Sequence, residues 1–182
     1  MDWGLPSFNR KNVLLPEFSA NALINITIRS AKASDVNGMS ALINSYASKN
    51  VMLARGPQYL YQHLQDYIVA TANLKDSPQE YVIGCGALHI LWYDLAEIRS
   101  LAVHDRCHHL GLGKKIVQSL IDRSAKLEIP RVFCFTLVDT FFQKCGFTIF
   151  SREELPPVVW AECSKCPKFF NCDEISLLYL IK

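Results

Sequence analysis

Residues 95–115 read LAEIRSLAVHDRCHHLGLGKK, and this stretch decides the fold. Leu95 to Val103 is an apolar run of strand length, with Glu97 and Arg99 two residues apart and so on one face. A loop follows, and Gly111 opens a helix that continues to Leu127. Leu112, Ile116, Val117, Leu120, Ile121 and Leu127 recur along it at helical spacing. Lys114, Lys115, Gln118, Asp122, Arg123 and Lys126 fall on the other side. Pro130 breaks the helix, and Arg131 to Leu137 reads as the next strand. A strand, a helix and a strand in this order make one crossover unit of an α/β domain.

Upstream, Tyr81 to Trp92 is a long strand joined to Leu95 by a tight turn at Tyr93-Asp94. Tyr67 to Thr71 is a shorter strand, and Lys75-Asp76-Ser77-Pro78 is the turn between them. Pro57 suits the first turn of a helix reaching Asp66. Val36, Met39, Ile43 and Tyr46 mark an earlier helix, with Ser34 as its expected N-cap. Ile24, Ile26 and Ile28 alternate with Asn25, Thr27 and Arg29 as in a half-buried strand. Downstream come a short helix, Thr140 to Lys144, a left-handed exit at Gly146 and a last strand, Ile175 to Ile181. Residues 1–22 read as an extension whose Trp3, Phe8, Leu14, Leu15 and Phe18 suggest that it packs on something. Residues 23–182 read as one α/β domain with a largely antiparallel first half.

Composition narrows the classes. The 182 residues suit one domain, and 50% hydrophobic content excludes disorder. Lys plus Arg is 19 against 17 Asp plus Glu. That leaves no basic excess for nucleic-acid phosphates. The uncharged stretch from Tyr81 to Tyr93 is too short to span a bilayer, which takes about 20 residues. No apolar run at the start suggests a signal peptide, and seven cysteines are an odd number. They read as reduced thiols in a cytoplasmic protein that does not act at a membrane.

Gly111-Leu112-Gly113 lets backbone come close to a ligand, and free N–H groups at a helix start attract phosphate. The same pattern also suits an ordinary helix start, and a lone G-x-G does not decide between them. On spacing alone Glu97 reads first as a strand residue paired with Arg99 and only second as a base in an apolar strand. Cys163, Cys166 and Cys172 stand as C-x2-C-x5-C. No fourth ligand is evident, so they read as structural thiols, and no metal is expected. His63, His89 and His104 show no ligand spacing.

EIRSLAVHDRCHHLGLGKKIVQSLI, followed by FFQKCGF, resembles the GNAT acyltransferase superfamily. The family's pattern is a strand ending in LAV, a pyrophosphate loop Q/R-x-x-G-x-G/A, a long helix and a later aromatic GF segment. This chain has His108 where the family prefers Gln or Arg. IGCGALH, LAEIRSLAV, MLARGPQYLYQHLQDYIVA and ELPPVVWAEC narrow the resemblance, over residues 24–182, to the acetyltransferase domain of N-acetylglutamate synthase.

The resemblance implies a mixed central sheet flanked by helices, with two strands splayed apart to take acetyl-CoA. Leu101, Ala102 and Val103 would pair with its pantetheine arm. His108, His109, Leu110, Gly111, Leu112, Gly113 and Lys114 would hold the pyrophosphate. Glu97 would be the base and Thr136 the acid for the leaving thiolate. Arg55, Arg99 and Lys168 would meet the carboxylates of a small acidic amino acid, L-glutamate, in arginine biosynthesis. Another amine acceptor and a non-catalytic acyl-CoA-binding module are the alternatives. A homodimer stays open.

Overall fold

The computed structural model describes residues 17–164 and 166–182. The strands are β1 (Leu23–Ser30), β2 (Tyr67–Leu74), β3 (Glu80–Trp92), β4 (Leu95–Val103), β5 (Arg131–Thr136), β6 (Thr148–Ile149) and β7 (Ile175–Leu180). The helices are α1 (Val36–Ala47), α2 (Pro57–Gln62), α3 (Leu112–Lys126), α4 (Asp139–Gln143) and α5 (Trp160–Cys163). Among the described residues, seven strands form one mixed sheet in the order β1-β2-β3-β4-β5-β7-β6. Pairing is antiparallel except between β4 and β5, which the α3 crossover makes parallel. No helix among the described residues is long and apolar enough to cross a membrane.

The sheet is covered on both faces, which is why its central strands are nearly all apolar. On one face Leu112, Ile116, Val117, Leu120 and Ile121 of α3 pack on Ile68, Ala70, Ile83, Ile98 and Val132. On the other, Val36, Met39 and Ile43 of α1 and Leu60 of α2 pack on Tyr67, Val69, Cys85 and Ala87. Each such side chain contributes about 2 kcal/mol by leaving water. Gly86 makes the close seat of α3 possible, since a Cβ there would stand 2.9 Å from Ile116 Cγ2.

Several local expectations change. The isoleucine alternation does not bury β1: Ile24 and Ile26 are exposed, because β1 is an edge strand whose register slips between Ile24 and Thr27. Asn25 takes φ +53° at that irregularity. Ser34 is not the cap of α1. It lies in a 3-10 turn, Ala33–Asp35, and the Asp35 carboxylate accepts the Lys32 N–H at 2.7 Å. Leu127 caps α3 from an exposed position and does not pack on the sheet. Of the extension, Phe18 is buried against the core, with its ring 5.0 Å from His104 and its carbonyl accepting from Arg106. Trp3, Phe8, Leu14 and Leu15 lie outside the described residues.

Candidate functional site

The site begins where β4 and β5 part. Their ladder holds only Leu95, Ala96 and Glu97 against Arg131, Val132 and Phe133. Beyond it β4 runs on to Val103 and β5 to Thr136 without pairing. On its other side β4 carries a bulge. Cys85 pairs with Ala102 but Ala87 with Arg99, so Ser100 and Leu101 face Gly86 alone. Ser100 takes φ +51°, a left-handed conformation uncommon for a residue with a side chain. The β5-facing backbone groups of residues 98–103 therefore lie outside the ladder, beside the gap.

Glu97 lies at the root of that gap and is 8% exposed. Arg99 Nε donates to its Oε2 at 2.6 Å. Burial pushes the Glu97 carboxyl above its ordinary range, while Arg99, His89 and Arg55 pull it back. Burial disfavours the Arg99 cation, but the attraction of Glu97 and the hydrogen bond Arg99 donates to the Tyr59 oxygen outweigh it and hold the guanidinium above its usual value. The Arg55 guanidinium lies 4.1 Å from the centre of the same Tyr59 ring. Asn44 fixes the Arg55 backbone, accepting its N–H at 3.1 Å and donating to its carbonyl at 3.0 Å. Glu97, Arg99 and Arg55, separated in sequence, thus converge on one buried patch.

Thr136 ends β5 and is also buried. Its hydroxyl oxygen accepts the Val138 N–H at 3.0 Å, which leaves the hydroxyl hydrogen to another acceptor. Lys168 stands further out. Its ammonium is on Asp173 at 3.3 Å, and its charge acts on Glu174. Two further groups join the patch: Glu174, which sequence reasoning left aside, and Cys163, which it read as a structural thiol. Glu174 is pushed up by burial and by the charge of Glu97. Burial, with the same charge adding, pushes the Cys163 thiol up to about 11. Nothing local in the sequence signals Glu174, and the spacing that singles out Cys163 does not place it beside Glu97, because α5 and the residue before β7 reach Glu97 only through the tertiary fold.

The glycine segment lies at the other end of the gap. A 3-10 turn, Asp105–Leu110, leads to Gly111 at φ +68°, where a Cβ would meet nothing within 4 Å. The Lys115 N–H returns to the Gly111 carbonyl, so the N–H groups of Leu112, Gly113 and Lys114 start α3 without helical partners. Gly113 has a packing reason of its own, since a Cβ there would stand 3.1 Å from the Phe141 ring. His108 Nε2 lies 2.8 Å from the Val103 carbonyl and 2.9 Å from the Tyr46 hydroxyl, which also reaches Val103 and Asp105. His109 is exposed.

Comparison with known proteins bears on the family and the fold. The family model described as Acetyltransferase (GNAT) family matches residues 40–147. An uncharacterized N-acetyltransferase of Chlorobaculum tepidum is 32% identical over 151 residues, covering 83% of this chain and 94% of the relative. An amino-acid acetyltransferase of Mycobacterium tuberculosis is 39% identical over 123 residues, 66% of this chain and 67% of its own. The crystal structure of Rv2747 from Mycobacterium tuberculosis, in complex with CoA and NLQ, superposes with a TM-score of 0.71 at 30% identity. That superposition covers 86% of this chain and 99% of the other.

Proposed function

The chain belongs to the GNAT acetyltransferase family and is an acetyl-CoA-dependent N-acetyltransferase, and from that premise we propose that it acetylates the α-amino group of L-glutamate, as arginine biosynthesis requires. The observation that carries this reading is the buried Glu97, set among Arg99, Arg55 and Tyr59 where β4 and β5 part. A base stands there beside two guanidiniums of the kind that grips carboxylates in a planar fork.

In this reading the pantetheine arm lies along Leu101, Ala102 and Val103 as an added strand. The segment His108 to Lys114 takes the pyrophosphate, with the N–H groups at the start of α3 and the Lys114 ammonium as donors. Glu97, acting through a water, removes a proton from the substrate ammonium. The freed amine attacks the thioester carbonyl, the new C–N bond forms, and the tetrahedral adduct then collapses by breaking the C–S bond. Backbone N–H groups at the β4 bulge meet the transient oxyanion. Thr136 gives its hydroxyl proton to the departing thiolate and takes up the surplus proton of the acylated nitrogen in exchange. Arg55, Arg99 and Lys168 hold the two carboxylates of the acceptor. Residues 23–182 form the catalytic domain in this reading, and residues 1–22 its arm.

The support for an acidic amino acid is the charge at the patch, together with the likeness to an amino-acid acetyltransferase. Release of free CoA thiol is the test, measured with acetyl-CoA and glutamate, glutamine, a polyamine or a peptide in parallel. Glutamate is expected to turn over fastest. A faster peptide or polyamine would leave the acetyltransferase reading standing and remove the glutamate one.

A further inference from the structure

His63 follows α2, Asp66 ends the 3-10 turn Leu64–Asp66, and His89 lies in β3. The fold carries these three side chains to one point. His89 Nδ1 lies 2.9 Å from Asp66 Oδ2, and His63 Nδ1 lies 3.5 Å from the same oxygen. One donor atom of each residue lies within 4.8 Å of the other two. The side chains are 24%, 25% and 32% exposed for His89, Asp66 and His63, so the point is open to solvent.

The surroundings hold the arrangement in place. Arg123 of α3 donates to the Gln65 and Asp66 carbonyls at 2.9 and 3.0 Å, which fixes the turn. The Tyr59 ring lies 4.3 Å from the His63 ring. A first-row divalent ion sits about 2.0–2.2 Å from imidazole nitrogen or carboxylate oxygen. Two such ligands at right-angled to tetrahedral geometry are therefore about 2.8–3.6 Å apart, and the 2.9 and 3.5 Å gaps to Asp66 fall in that interval. Two imidazoles and one carboxylate suit zinc and its neighbours, whereas calcium and magnesium prefer all-oxygen sites. The single negative charge of the set partly offsets a doubly charged ion. We propose that His63, Asp66 and His89 form a binding site for a zinc-like divalent cation, with its remaining coordination positions open to water. An ion there would tie the exit of α2 to β3.

Cobalt(II) titration of the tag-free full chain tests this, with Cys163, Cys166 and Cys172 all changed to Ser to remove competing thiols. One cobalt per chain is expected, with visible d–d absorption, displacement by one equivalent of zinc and a zinc-dependent rise in melting temperature. His63→Gln and His89→Ala should each weaken cobalt binding at least about tenfold. His63→Gln keeps the reading available should His89→Ala fail to fold. No binding up to millimolar cobalt, or binding that either histidine substitution leaves unchanged, overturns the site. The three side chains would then be only a hydrogen-bonded His–Asp–His chain.

Discussion

Arg99 donates to Glu97 at 2.6 Å from two positions along the same strand, and both side chains are buried. Burial nevertheless keeps the Glu97 carboxyl above its ordinary range. If Glu97 is the base, Glu97→Gln should lower kcat by about a hundredfold or more, with KM for acetyl-CoA little changed. The base must be ionised to work, so wild-type activity should fall as pH falls through the raised value. That acidic limb should lie above the usual carboxylate range, and the Gln variant should lack it. Near-normal turnover with the limb intact would make Glu97 a structural partner of Arg99.

In the proposed function Arg55, beside Tyr59, holds an acceptor carboxylate. A charge-assisted bidentate pair contributes about 2–3 kcal/mol. That is a factor of roughly 30–150 in kcat/KM. Glutamate should therefore exceed glutamine by at least about tenfold, and Arg55→Leu should remove most glutamate activity. Arg55→Lys should restore part, since an ammonium lacks the planar fork. CoA affinity should stay near normal in both variants. Equal use of glutamate by Arg55→Leu would take Arg55 out of the acceptor site.

Gly86 and Gly111 are glycines for different reasons, and the same substitution separates them. Gly86→Ala puts a methyl 2.9 Å from Ile116 and should cost about 1–3 kcal/mol of stability by overpacking. Gly111→Ala meets open space but a φ of +68°, and should cost about 1 kcal/mol. In this reading Gly111→Ala should also weaken CoA binding. Urea unfolding and CoA titration of the two variants measure both.

Glu80 bears on stability in acid. The Arg29 guanidinium, 2.7 Å away, and the Thr71 hydroxyl hold its carboxyl below the ordinary range. A carboxylate with a lowered folded-state pKa adds stability above its unfolded pKa. That stability is lost as pH falls through the folded value. Melting temperature in wild type should therefore drop on acidification more steeply than in Glu80→Gln. At neutral pH the variant should be only slightly less stable, because Glu80 is 43% exposed in its side chain.

Much of this arrangement could be read from the sequence, for reasons that name its limits. Leu95–Val103 and Leu112–Lys126 fall close to where their periodicity places them, since each must bury one regular pattern. The two-residue β6 escapes such reasoning, because no periodicity fits in Thr148 and Ile149. The Glu97–Arg99 pair follows from strand alternation. Arg55 entered by resemblance, and its seat on Tyr59 comes from a helix that local sequence does not aim. His63 and His89 show no ligand spacing along the chain, yet they share one Asp66 oxygen because α2 and β3 meet only in three dimensions.

The three-rung ladder between β4 and β5 has a mechanical consequence. β1 to β4 form one antiparallel leaf and β5, β7 and β6 another, joined within the sheet by those few parallel pairs. Parallel pairing is slightly weaker per residue than antiparallel pairing. Stretched between its ends in a force spectrometer, the molecule should tear first along this seam, with each leaf still intact. In the proposed function, the opening that would admit acetyl-CoA would thus also be the line of least tensile strength.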